Sequence, residues 1–162
     1  YSLTVKPLGD CNDSNAAIHP NTVWYKNSDG DGFASTTKTQ CTNPGSGYSL
    51  TVKPLGDCND NDPAIHPNTV WYADGDNDSW GNKNVTKTQC TQPSGYVRND
   101  DDYDDTTDLI TNIAPKTFYS DSDGDGFGDP NQSVYRSEQP TNYVLDNTDS
   151  CPNTYGNIQG CP

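Results

Sequence analysis

The chain has no methionine, two histidines and a single glutamate, Glu138, among 23 acidic residues. Apolar residues are also scarce: 29% of its 162 residues are hydrophobic, well below the roughly 45–50% of ordinary globular chains counted with glycine. A large core is therefore excluded, and something else must offset the entropy of ordering the chain. No apolar run approaches the ~18 residues that would cross a bilayer as a helix, and no signal peptide opens the sequence, so Tyr1 reads as the start of a mature or trimmed product. Nine Lys and Arg against 23 acidic residues leave a formal net charge of −14, which argues against a nucleic-acid partner needing a basic stripe. No segment sustains a helical apolar period, and Gly, Pro, Asn and Asp interrupt every window. No nucleophile has a paired histidine and no phosphate loop exists. With so small a core there are few places for a buried, raised-pKa acid, so the chain is not expected to be an enzyme.

Aspartate, the remaining 22 acidic residues, suits turns and short-reach chelation, because its carboxylate sits close to the backbone. The aromatic pairs Trp24-Tyr25, Trp71-Tyr72 and Phe118-Tyr119 recur at 47-residue intervals. Each leads into an Asp/Gly loop: NSDGDGF at 27–33, DGDNDSW at 74–80 and DSDGDGF at 121–127. YSLTVKPLGDCND at 1–13 returns at 48–60, AIHPNTVWY at 17–25 returns at 64–72, and TKTQCT at 37–42 returns at 86–91. A period of this size marks tandem arrays. The boundaries fall before Thr22, Thr69 and Lys116, giving the back half of a unit (1–21) and three units (22–68, 69–115, 116–162). The expected fold is a mostly irregular, small-β repeat array, loop-rich and disulfide-stapled, with short strands and almost no helix. TVWY, TKTQ, YSLTV, SVYR and NYVL are the strand candidates; only residues 108–113 could make a helical turn. Four aromatics per unit (Trp24, Tyr25, Phe33 and Tyr48 in the first) are the expected mini-core.

The loops carry the chemistry. Asp121, Asp123 and Asp125 fall at positions 1, 3 and 5 of an oxygen-ligand loop, Phe127 offers a carbonyl at 7, Asp129 stands at 9, and Gly126 supplies the turn at 6. The second loop supplies Asp74, Asp76, Asp78, the Trp80 carbonyl and Asn82, with Ser79 at the turn position; the first supplies Asn27, Asp29, Asp31 and the Phe33 carbonyl, with Ser35 at position 9. Position 12 would need a bidentate glutamate but is Lys38, Val85 or Gln132, and no flanking helices exist, so an EF-hand is excluded. The remaining ligands are expected from Asp10, Asn12 and Asp13; from Asp57, Asn59, Asp60 and Asp62; from Asp100, Asp102 and Asp104 within the run 100–105; and from Asp146, Asn147 and Asp149. All-oxygen sites point to several calcium ions per chain rather than magnesium, which keeps its waters. His19 and His66 occupy identical AIHP positions; a hydrogen-bonded turn role is expected ahead of copper ligation.

GDCNDNDPAIHPNTVWY followed by a D-x-D loop and CTQPSGYV resembles the secreted bacterial MopE-type metal-binding repeat. DSDGDGFGD and DNTDSCPNTYGNIQGCP look like thrombospondin type 3 calcium repeats. The resemblance implies an extracellular, calcium-wrapped array serving as stalk, spacer or surface assembly. The chain departs from that pattern at Asp101, which stands where the GDC cysteine would be, and at Asn27, which implies a weaker site.

Six cysteines suggest an oxidising compartment. Within a unit the front and back cysteines are natural partners, giving Cys41–Cys58, and Cys151 and Cys161 bracket their own loop. Cys11 and Cys90 remain. They are expected to bond between neighbouring subunits, which would propagate a head-to-tail fibre, or within one chain; residues 1–21 completing an incomplete unit is the related alternative. Covalent glycans are candidates at Asn84 and Asn131, within Asn-x-Ser/Thr sequons, and at Thr106. The expected role is an extracellular calcium-binding structural protein, with an adhesin or glycan-binding module and a metal-sequestering protein as the other readings.

Overall fold

A computed structural model describes residues 10–162; the first copy of YSLTVKPLG lies outside them. Among the described residues, nine short strands form three antiparallel three-stranded sheets and no helix occurs. The first sheet has the order β2-β1-β3, from β1 (Val23–Lys26), β2 (Thr36–Thr39) and β3 (Tyr48–Ser49). The second has β5-β4-β6, from β4 (Val70–Ala73), β5 (Asn82–Thr88) and β6 (Tyr96–Val97); the third has β8-β7-β9, from β7 (Lys116–Ser120), β8 (Ser133–Arg136) and β9 (Tyr143–Val144). The strands fall on the β-branched and aromatic runs, which suit a pleated, half-buried surface. Residues 108–113 form turns rather than a helix.

The chain divides into two compact units, residues 1–70 with 88–92 and residues 71–87 with 93–162. In the first, Val23 pairs with Thr39 and Lys26 with both Thr36 and Tyr48. Trp24 is buried, its indole N–H donating to the Gln40 carbonyl at 2.9 Å, and Lys38 lies over the Tyr48 ring on the same face. In the second unit Phe118 and Trp71 take the corresponding buried positions. One aromatic per sheet is thus buried. The other three expected core aromatics of each repeat are only half-buried, because a three-stranded sheet this short has only one face to cover.

The AIHPNT segment is a fixed turn. Thr22 and Thr69 are buried; each accepts the N–H of His19 or His66 on its hydroxyl and donates that hydroxyl to the carbonyl of Ala17 or Ala64. Each histidine Nδ1 in turn accepts the N–H two residues on, from Asn21 or Asn68. His66 also stacks on Phe33 at 5.2 Å.

Three disulfides are present: Cys11–Cys41, Cys58–Cys90 and Cys151–Cys161. The last is as expected; Cys41–Cys58 and Cys11–Cys90 are not formed. The reason is strand register. Antiparallel pairing carries the chain past β2 so that the Gln40 N–H meets the Thr22 carbonyl, and the Gln89 N–H meets that of Thr69. This lays each TQC cysteine beside the segment that precedes its own sheet, where the GDC cysteine waits. Cys11 and Cys90 are both spent inside the chain, which removes the covalent route from subunit to subunit.

Candidate metal centre

Each aspartate loop folds by the same local rule: a carboxylate accepts the N–H two residues ahead, so the chain winds around its own acidic side chains. Asp29 accepts from Asp31, Asp31 from Phe33, Asp76 from Asp78, Asp78 from Trp80 and Asp125 from Phe127. Asp121 takes three amides, those of Gly124, Asp125 and Gly126. Positions 4 and 6 are left-handed in every loop: Gly30 and Gly32, Gly124 and Gly126, but Asn77 (φ 65°) and Ser79 (φ 76°) in the second. Asn tolerates that region; Ser is strained there.

The winding brings together carboxylate oxygens of Asp29, Asp31 and Asp57, of Asp74, Asp76 and Asp78, and of Asp121, Asp123 and Asp125, each group within 4.8 Å. Each group could hold a metal ion. The donor set fits a hard cation, because its oxygens lack other partners. One buried oxygen each of Asp29, Asp31, Asp57, Asp74, Asp76, Asp78, Asp102 and Asp149, and both of Asp123, accepts no hydrogen bond. Buried polar atoms are ordinarily satisfied, and a cation would satisfy these.

An aspartate from outside each loop docks beside it through the backbone, and in the first loop that aspartate, Asp57, joins the cluster. The N–H groups of Asp57, Asp102 and Asp149 donate to the carbonyls of Ala34, Gly81 and Gly128, each just after a loop's position 7. One oxygen of each is held by the N–H two residues ahead, at Asn59, Asp104 and Cys151, leaving the other free. Gly81 and Gly128 also let a second segment pack against the loop: a Cβ on either would meet the Cβ of Tyr72 or Tyr119 at 2.6 Å and run into the carbonyl of Asn99 or Asp146. Electrostatics shows the crowding. Desolvation first, then the charges of Asp31 and Asp29, push the Asp57 carboxyl above its ordinary value. Desolvation with Asp78, Asp105 and Asp74 does the same to Asp76, and desolvation with Asp78 and Asp76 to Asp102.

Other expected ligands make hydrogen bonds or ion pairs, or lie at the surface. Desolvation alone would raise the Asp60 carboxyl, but Lys26 and Ser28 outweigh it and hold Asp60 well below the usual carboxylate range. Asp105, in the second unit, clamps its loop through the Gly75 N–H and the Asn82 amide. Asp146 accepts the hydroxyl and the N–H of Thr148 and is lowered by them; Asp104 accepts the hydroxyl and the N–H of Thr106. Asp129 is buried and satisfied by Asn131 and Gln132, and Asn82 accepts the Asn84 N–H. Asp62 caps the turn into AIHPNT through the Ala64 N–H. Asn59 and Asn12 carry exposed turns, and Asp10 accepts the Asn12 N–H. Asp13 and Asp100 lie on the exposed surface, Asp100 at an acidic hollow it shares with Asn84, Asp102 and Asp104. Of the glycan candidates, Asn84 stands exposed on β5, whereas the side chains of Asn131 and Thr106 donate to Asp129 and Asp104.

Asn99 was not legible as a site residue. Its side chain accepts the Gly81 N–H and donates to the Ser79 carbonyl, both at 2.9 Å, tying the second loop to the segment that supplies Asp102. Its 47-residue offset from Asp146, which holds the Gly128 amide, was the available signal.

Three disulfides are formed, and no helix among the described residues is long and apolar enough to cross a membrane. Compared with protein-family models, with curated proteins and with solved structures, the chain matches none.

Proposed function

We propose that the chain is an extracellular calcium-binding structural protein that forms or spaces a fibre, stalk or surface assembly, and that it catalyses no reaction. The observation that carries this reading is the set of buried, partnerless carboxylate oxygens at all three loops. They make the folded state incomplete without cations, and calcium, which takes six to eight oxygens in flexible geometry, suits such loops better than magnesium. Disulfides and the shortage of buried apolar side chains support a secreted setting in which ions and staples replace a core. The likeness to MopE-type and thrombospondin type 3 repeats belongs to the same proposal. Self-association, if it builds the assembly, uses surfaces rather than the six cysteines.

Chelation tests the reading. At a hundredfold excess over Kd each bound ion stabilises by about 2.7 kcal/mol. Excess chelator should therefore abolish near-UV circular dichroism, admit protease and fray any fibre seen by electron microscopy. A chain that keeps its dichroism and protease resistance in chelator is not calcium-built. A glycan-binding role is a second reading, favoured by the exposed rings of Tyr135 and Tyr155; a glycan array separates it.

A further inference from the structure

The AIHPNTVWY segment occurs at 17–25 and 64–72, and its two copies fold alike but are not covered alike. Each threonine hydroxyl makes the same two bonds, and each histidine Nδ1 accepts the N–H two residues on at 3.2 Å. The same bonds therefore hold both imidazoles on the same turn. In the second copy His66 is half-buried and stacked on Phe33, position 7 of the first aspartate loop, with the rings 13° from parallel. In the first copy Ala17 and His19 are exposed where Ala64 and His66 are half-buried, and His19 stacks on no ring among the described residues. An imidazole fixed by its own turn, without the ring that covers its twin, is a docking face already in its bound conformation.

The chain itself shows what fits that face. The loop that covers His66 reads SDGDGF at 28–33, and SDGDGF returns at 122–127. Phe127 stacks on no ring among the described residues. His66 lies nine residues past the docked Asp57; nine residues past the docked Asp149 stands Ile158, which is 72% exposed. One imidazole and one phenyl ring, each a copy of a member of a pair already formed, are thus left over. Charge favours their meeting. No acidic residue lies between Asp13 and Asp29, a run that holds His19 and Lys26, whereas the third loop carries Asp121, Asp123, Asp125 and Asp129. Setting an acid-free turn against an acidic loop avoids the self-repulsion of a chain at net −14. We propose that the turn at 17–20 binds the third aspartate loop of a second copy of this chain, with His19 stacked on that copy's Phe127. Turn and loop are different surfaces, so the contact is heterologous and repeats head to tail, building an open filament unless its rotation closes a ring. Asp149 keeps the Gly128 carbonyl, so the incoming chain contributes its turn and not its own Asp10. This deepens the fibre-forming reading and rests on it.

Sedimentation velocity of the full, calcium-saturated chain over a range of concentrations tests it. Wild-type mass should climb past that of a dimer. His19→Asp keeps an acceptor for the Asn21 N–H but sets a carboxylate against the acidic loop, and should leave the chain monomeric with unchanged near-UV dichroism. His19→Ala, which removes only the exposed ring, should weaken association about two- to tenfold. Excess His19→Asp chain should cut wild-type oligomers down to dimers, because its third loop still fills a wild-type turn while its own turn accepts none. Variants that associate like wild type, or wild-type oligomers untouched by the excess variant, overturn the proposal alone. A wild-type chain that stays monomeric at every concentration overturns the fibre-forming reading with it. Oligomers that depend on His19 and persist in chelator support the proposal and remove the calcium reading.

Discussion

The first and third sheets close the same gap by different means. Past β2, Cys41 forms a disulfide with Cys11; past β8, the corresponding position is Ser137, since Val23 pairs with Thr39 and Thr117 with Tyr135. Ser137 is buried and binds the preceding segment three ways: its N–H to the Leu109 carbonyl, its hydroxyl to the Ile113 carbonyl, and its Oγ accepting the Thr111 N–H. A serine with three hydrogen bonds and the nearby buried Ile110 thus stands where the other sheet has a covalent staple. The lesson is that the fold requires the segment before each sheet to be pinned to the strand beyond its loop, and is indifferent to the bond used. The same contrast bears on the missing cysteine: by docking register Asp102 matches Asp57, so Tyr103, not Asp101, stands where Cys58 does, and no cysteine is needed where the partner position is Ser137.

Breaking the pin should rank the two solutions. Replacing Cys11 and Cys41 together by serine opens a closure over a sequence separation of 30 and should cost roughly 3–4 kcal/mol. Calcium-saturated urea unfolding of the first unit would read this, and an unchanged midpoint would make the staple ornamental. Ser137→Ala should cost about 1–3 kcal/mol, the penalty for leaving a buried amide and carbonyl short of partners. A loss equal to that of the cysteine pair would mean the hydrogen-bonded pin is as strong as the covalent one.

Comparison of the loops yields a stabilising change. Ser79 sits at φ 76° where the other loops have Gly32 and Gly126, so Ser79→Gly should gain about 1 kcal/mol by relieving left-handed strain. Thermal melts of the metal-free chain would show a higher Tm; a lower one would mean the Ser79 side chain contributes more than its strain costs.

The smallest effect is one of sign. In metal-free protein the raised carboxyls of Asp57, Asp76 and Asp102 take up protons in the folded state first. Their contribution to stability is fully present below the ordinary carboxylate value of 3.8 and is lost as pH rises through their raised values. Asp60 and Asp146 run the other way: their contribution is present above 3.8 and lost as pH falls through their depressed values. Metal-free protein should therefore gain stability on mild acidification down to about pH 4 and lose it below, whereas calcium-loaded protein should lose stability throughout, as protons displace the ion. Melting temperatures at a series of pH values, with and without chelator, would check this. Parallel slopes in the two states would mean the three clusters hold no ion.

The sequence by itself determined what short-range chemistry controls. Aspartates two residues apart wind the loops through their own amides, glycines at positions 4 and 6 supply the left-handed turns, β-branched and aromatic runs become strands, and the scarcity of apolar residues leaves one buried aromatic per sheet. Tertiary structure decided what depends on register. A near-verbatim repeat can be cut at any phase, so its text pairs Cys41 as readily with Cys58 as with Cys11; the ladder from Thr22 to Gln40 settles that choice. Nor does the text distinguish Asp57 from Asp60, both in GDCND. One is carried into the cluster by its N–H on the Ala34 carbonyl, and the other is held at the loop's edge by Lys26 and Ser28. Identical carboxylates three residues apart acquire different roles because backbone docking, which involves residues distant in the chain, fixes which of them faces the site.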